Sequence, residues 1–132
     1  MITLSKDLEV GVPEIDEQHR ELVNRLNQVT EMGIDAVSRE ETKKTLDFLG
    51  DYVVKHFGDE EALQKKSGYP KYEWHKEQHK LFIDNFKKLK EEFITNGASL
   101  KYTMDLNNSI ITWIVRHIKT ADVELGKYIS SR

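Results

Sequence analysis

His56-Phe57-Gly58-Asp59-Glu60 and, a short interval later, His75-Lys76-Glu77-Gln78-His79 decide how this chain must fold. Each stretch sets two potential metal ligands at i and i+4, which places the pair on one face of a helix about one turn apart. Between them lies Ser67-Gly68-Tyr69-Pro70, a loop signal that turns one helix back against the other. The remaining histidines, His19 and His117, also fall in helical sequence.

Size and composition suit such an arrangement. The chain has 132 residues, enough for one core, and we expect a single domain over residues 1–132. A 38% hydrophobic and 33% charged composition fits amphipathic helices better than a β-sandwich or a disordered tail. A net charge of −3 with no basic stripe argues against nucleic acid as a partner. With no cysteine, disulfides, iron–sulfur clusters and thiolate zinc sites are excluded together. Met1-Ile2-Thr3-Leu4-Ser5-Lys6-Asp7 lacks the apolar core of a signal peptide, and no apolar run approaches the roughly 18 residues of a membrane span. The expectation is a cytoplasmic protein with no membrane partner.

Outward from the central pairs, the periodicity predicts four helices. Residues 1–15, with Gly11 and Pro13, read as an irregular arm. A first helix from about Asp16 carries the stripe Ile15, His19, Leu22, Leu26, Val29 and ends around Gly33 and Ile34–Val37. Ser38-Arg39-Glu40-Glu41 reads as a capping box opening the second helix. Its stripe is Leu46, Leu49, Val53, His56, Glu60, Leu63. Gly50 and Gly58 lie inside it at a helix-propensity cost of about 1 kcal/mol each, and Gly58 suggests a place of close packing. Gly68 is the stop, and Pro70 the first-turn residue of the third helix. That helix carries His75, His79, Phe82, Phe86, Leu89, Phe93 and ends at Asn96-Gly97. A fourth, capped by Ser99, carries Leu106, Ile110, Trp113 and His117, widened by Ile114 and Ile118. A short C-terminal piece follows from Thr120 to about Tyr128. The sum is an all-α, up-down-up-down antiparallel four-helix bundle with an irregular N-terminal arm and a short C-terminal helix.

All five histidines sit on apolar stripes. One buried histidine is ordinary, but five with a buried Glu60 require more hydrogen-bond partners than the stripes supply, and a cation would meet the shortfall. Height along the bundle points the same way. His56 and His79, like Glu60 and His75, are equidistant from the middle of the Ser67–Pro70 loop. His19 and His56 straddle Val37–Ser38 equally, as His79 and His117 straddle Gly97–Ser99. The five therefore form one layer. Imidazole with carboxylate suits iron, zinc, manganese or copper. Five imidazoles exceed what one open site can use, which suggests two metals bridged by carboxylates. Glu60 is one bridge, and Asp122 is the best candidate for the second. Asp122 follows His117 by five residues, about 140° round an ideal helix, so the helix must loosen or end near Lys119-Thr120-Ala121.

Taken together, Val10-Gly11-Val12-Pro13-Glu14-Ile15-Asp16-Glu17-Gln18-His19, His56 to Glu60, His75 to His79, and Trp113-Ile114-Val115-Arg116-His117 continuing to Asp122 resemble the hemerythrin family, specifically its single-domain bacterial members. The resemblance covers about residues 8 to 122. It implies two iron ions with a bridging oxo or hydroxo group. His75, His79 and His117 would hold one ion, His19 and His56 the other, and Glu60 and Asp122 would bridge them. On that assignment the first ion is saturated and the second keeps one open position, which in hemerythrins takes dioxygen. The implied function is reversible dioxygen binding, for storage, delivery or sensing, and not catalysis. Ile114, Ile118 and Phe57 are candidates for lining the dioxygen pocket. Asp16, Gln18 and Gln78 are candidates for holding free imidazole nitrogens, and Trp74 and Trp113 are read as packing residues. Leu4 departs from the family, whose bacterial members often have tryptophan there. The competing readings are an enzyme on the same scaffold, handling peroxide or nitric oxide or assisting iron–sulfur repair, and a metal-free helical interaction module. The latter leaves the level histidines unexplained, and no protein partner is indicated.

Overall fold

The computed structural model describes residues 9–31 and 36–131. Helix α1 spans Pro13–Glu31, α2 Ala36–Ser67 and α3 Tyr72–Asn96. The fourth rod is compound: α4 (Leu100–Asp105), a π turn (Leu106–Ile111), α5 (Thr112–His117), a second π turn (Ile118–Asp122) and α6 (Val123–Ser130). α1 packs on α2, α2 on α3, and α3 on the fourth rod, giving the four-helix bundle. No strand is present among the described residues.

The apolar stripes become the core. On α3 the six residues of the expected stripe are the buried set of the helix: His75, His79, Phe82, Phe86, Leu89 and Phe93. The four apolar members cluster with Leu22, Leu26 and Val29 of α1, Leu46, Leu49, Val53 and Phe57 of α2, and Leu106, Ile110, Ile114 and Ile118 of the fourth rod. Leu63 is only half-buried, and its neighbour Gln64 takes the inward position.

Helix boundaries differ from expectation where a competing contact wins. α1 begins at Pro13, whose fixed φ and missing N–H suit a first helical position. Asp16 therefore lies within the first turn. Its carboxylate accepts from the Val10 N–H at 2.8 Å and the Gly11 N–H at 3.2 Å, tying the arm to the helix. α2 begins at Ala36, so Ser38 falls inside the first turn and is not the cap; its side chain, Gly33-Ile34-Asp35 and Leu4 lie outside the described residues. Pro70 stays in the turn, two residues ahead of α3. Ser99 does cap the fourth rod, accepting from the Tyr102 N–H at 3.1 Å. Gly97, with φ of 69°, closes α3 by donating to the Phe93 carbonyl at 2.8 Å.

Two glycines behave oppositely. Gly126 of α6 lies so close to the arm that a Cβ there would fall on the Val10 carbonyl. Gly126→Ala should force the arm off its seat and destabilise the protein by about 1–3 kcal/mol, read as a lowered thermal midpoint. Gly58 is exposed and a Cβ would meet nothing, so close packing is not its role. Gly58→Ala should raise stability by about 0.5–1 kcal/mol through helix propensity alone, and a loss in chemical denaturation would contradict this.

The fourth rod loosens at Lys119–Ala121 and does not end there. In the second π turn the Val123 N–H reaches the Ile118 carbonyl, five residues back. The first π turn, unexpected from the sequence, shows the same step from the Thr112 N–H to the Asn107 carbonyl, which the Thr112 hydroxyl also meets at 2.8 Å. A cause lies in the spacing of the buried residues Tyr102, Leu106, Ile110, Ile114 and Ile118. Steps of four drift by about 40° each on a regular α-helix, and wider turns absorb the drift.

Candidate metal centre

Each of the four rods of the bundle contributes to one buried layer. α1 supplies His19, α2 His56 and Glu60, α3 His75 and His79, α5 His117, and the second π turn Asp122. None of the seven is more than 5% exposed. Their ligand atoms form two groups, each gathered within 4.8 Å: Glu60, His75, His79, His117 and Asp122 in one, and His19, His56, Glu60 and Asp122 in the other. Both carboxylates belong to both groups. The helix loosening between His117 and Asp122 lets two residues five apart point to the same centre.

The orientation of the carboxylates is specific. Glu60 Oε1 lies 2.9 Å from His75 Nε2 and 3.1 Å from His79 Nε2, while its Oε2 lies 3.6 Å from His56 Nε2 and 4.0 Å from His19 Nε2. Asp122 Oδ1 lies 2.8 Å from His75 Nε2 and 3.2 Å from His117 Nε2, and its Oδ2 lies 3.0 Å from His19 Nε2. Each carboxylate thus turns one oxygen to the three-histidine group and the other to the two-histidine group.

Charge is unbalanced within this layer. Burial, reinforced by the Asp122 charge, pushes Glu60 up to about 7. Burial would also raise Asp122, but the surrounding His117, His19 and His75 hold it well below the usual carboxylate range. His75 has burial against it, yet Asp122 and Glu60 lift it to about 9. Burial and the neighbouring imidazoles depress His56 and His79 to about 3. Protons are doing unevenly what cations would do evenly.

The residues fit a pair of transition-metal ions. His19 Nε2, His79 Nε2, both Glu60 oxygens and Asp122 Oδ2 are buried without a hydrogen bond of acceptable geometry. His75 Nε2 and His117 Nε2 face each other at 3.1 Å, with one proton at most between them. Mixed imidazole and carboxylate donors suit iron, manganese or zinc, not calcium or magnesium.

Outer contacts fix two of the rings. His56 donates from Nδ1 to Gln18 Oε1 at 2.6 Å, and Gln18 Nε2 donates to Asp59 at 3.0 Å. His79 donates from Nδ1 to Glu61 at 2.8 Å. Such contacts leave Nε2 free of its proton and turned inward. Of the three sequence candidates for this role, only Gln18 takes it. Asp16 is committed to the arm, and Gln78 is half-buried in a shallow groove with Trp74, Trp113 and His117. Glu61 escaped the sequence reading, although it and His79 stand equally far from Pro70 in the α2–α3 loop.

The three candidate pocket residues are all in the core: Ile118, Ile114 and Phe57 are at most 2% exposed. Phe57 lies flat on the His79 ring, with centroids 3.8 Å apart, and its centroid is 5.6 Å from that of His56. Trp113, half-buried, stacks on His117 at 4.6 Å.

Comparison with known proteins points to one family. Residues 10–129 match the family model described as the hemerythrin HHE cation binding domain. The chain is similar to bacteriohemerythrin of Methylococcus capsulatus, 32% identical over 119 residues, which are 88% of this chain and 86% of that protein. It is 29% identical to bacteriohemerythrin of Stenotrophomonas maltophilia over 92% of this chain and 77% of that protein. Myohemerythrin of Sipunculus nudus is 29% identical over 82% of this chain and 77% of that protein. A crystal structure described as wild-type hemerythrin superposes with a TM-score of 0.82 at 28% identity, covering 98% of each chain.

Proposed function

The chain belongs to the hemerythrin family, and from that premise we propose that it is a non-haem diiron protein that binds dioxygen reversibly, for storage, delivery or sensing. The observation that carries the proposal is the division of each carboxylate between a three-histidine and a two-histidine group. A single-metal site has no use for that division. His75, His79 and His117 would hold one iron, His19 and His56 the other, and Glu60 and Asp122 would bridge them together with an oxo or hydroxo group.

When bound, the iron pair supplies the electrons and the vacant position that dioxygen requires. The chain supplies the surroundings. Gln18 and Glu61 orient His56 and His79 through their Nδ1 protons. Phe57, Ile114 and Ile118 keep water from the layer, so that a bound small molecule is shielded from protonation and loss. No helix among the described residues is long and apolar enough to cross a membrane. We read residues 1–132 as one hemerythrin-like unit working in the cytoplasm.

Metal loading should release protons. His75, lifted to about 9, holds a proton at pH 7 in the metal-free layer, and Glu60, at about 7, is half protonated. A metal ion takes their place, so loading at pH 7 should release roughly one to two protons per chain and should weaken as pH falls. A dye-indicator titration in weak buffer reads this directly; loading without acidification would contradict it.

The functional test is anaerobic reconstitution with Fe(II), followed by exposure to air. A visible charge-transfer band that appears in air and disappears under vacuum is the expected result. Immediate oxidation with no such band would favour the enzymatic reading, in which the same scaffold turns over peroxide or nitric oxide.

A further inference from the structure

Three consecutive acids on α2, Asp59-Glu60-Glu61, lead to three different destinations. Successive helical residues turn by about 100°, so with Glu60 pointing inward its neighbours flank the centre on opposite sides. Glu61 reaches α3 and accepts directly from His79 Nδ1 at 2.8 Å. Asp59 reaches α1 but touches no imidazole. It accepts from Gln18 Nε2 at 3.0 Å, and Gln18 in turn offers its carbonyl oxygen to His56 Nδ1 at 2.6 Å. One carboxylate thus touches its ring, while the other stands behind a neutral amide.

The difference in charge is larger than the difference in distance. Asp59 is paired with Lys55 at 3.7 Å, which further offsets its charge. Glu61 has no lysine or arginine within ion-pair distance among the described residues; its partner is the Nδ1–H of His79. His79 belongs to the three-histidine group and His56 to the two-histidine group.

We infer that this asymmetry makes the ion at His75, His79 and His117 the more readily oxidised of the two, with Glu61 the positioning residue that sets the difference. The inference rests on the two-iron reading above. A carboxylate that accepts the Nδ1 proton draws it away from the ring, and the opposite nitrogen becomes the stronger donor. A stronger donor favours the more highly charged oxidation state. The amide of Gln18 orients His56 equally well but adds much less electron density. The ion beside His19 and His56 is left the weaker reductant.

Stepwise spectroelectrochemical oxidation of the iron-loaded full chain tests this, with metal analysis of each sample. Glu61→Gln should make the first one-electron oxidation harder by about tenfold in the Fe(III)-to-Fe(II) affinity ratio, equivalent to about 59 mV. The reciprocal variant, Gln18→Glu with Asp59→Asn, puts a carboxylate on His56 and a donor amide behind it. It should make the second oxidation easier and narrow the gap between the steps. Opposite shifts in the two variants support the inference; a merely structural role would move neither step in this paired way. If the wild type and both variants hold two irons but neither step moves, or both move the same way, the inference is overturned and the two-iron reading stands. If the wild type itself fails to hold two irons, that reading falls. Should Glu61→Gln not load, the sign of the shift in the reciprocal variant decides.

Discussion

Glu60→Gln is expected to separate folding from metal binding. In the metal-free layer Glu60 sits at about 7, raised by burial and by the Asp122 charge, so at neutral pH its carboxyl is already partly neutral. A neutral amide of the same shape should therefore change the stability of the metal-free bundle by no more than about 1 kcal/mol. The loaded protein should respond very differently. Glu60 Oε1 faces His75 and His79 at 2.9 and 3.1 Å, and Oε2 faces His56 at 3.6 Å. Glutamine has an acceptor oxygen for one side and an NH₂ group, a donor only, for the other. Affinity for the second ion should fall by more than about 100-fold, beyond the 10–100-fold typical of losing an outer partner. Thermal melts of the metal-free proteins and metal analysis of the loaded ones read the two effects separately. A variant that retains two irons would remove Glu60 from its bridging role.

His79→Ala should damage both properties together. The ring is 1% exposed, lies flat on Phe57 with centroids 3.8 Å apart, donates from Nδ1 to Glu61 and turns Nε2 toward Glu60. Alanine leaves a cavity against Phe57 and removes the Nδ1 donor that Glu61 accepts from. Deleting a large buried ring costs several kcal/mol in other proteins, so we expect a loss of about 2–5 kcal/mol. The three-histidine group would also lose an ion. The paired design matters here. Glu60→Gln tests the bridge with packing kept, and His79→Ala tests the packing and the ligand at once. If His79→Ala melted like the wild type and kept two irons, the assignment of α3 to the centre would be wrong.

The sequence made the inward face of α3 readable in full because its six stripe residues succeed one another at steps of three or four. The level of the histidines was readable for a related reason: short connections fix helix register, so equal distance from a loop means equal height. The awkward interval from His117 to Asp122 correctly marked a distortion, which proved to be a π turn. The π turn at Leu106–Ile111 was overlooked, though the steps of four through Tyr102, Leu106, Ile110, Ile114 and Ile118 carried its signature. Helix starts were misplaced at Asp16 and Ser38, since a cap-type side chain also serves inside the first turn, as Asp16 does for Val10 and Gly11. Glu61 was missed for another reason. One-fifth exposed and surrounded in sequence by other charges, it looks like a solvated residue until α3 is laid beside it. Gln64, fully buried with both amide atoms unpaired, has no periodic signal that distinguishes it from Leu63.

On the function proposed above, one buried layer of five histidines and two carboxylates holds two iron ions. Metal analysis of the full chain, reconstituted anaerobically with Fe(II) and freed of excess metal, tests it most directly. The structure's two ligand groups with shared carboxylates lead us to expect two irons per chain. A single zinc per chain, retained in place of iron, would contradict the claim.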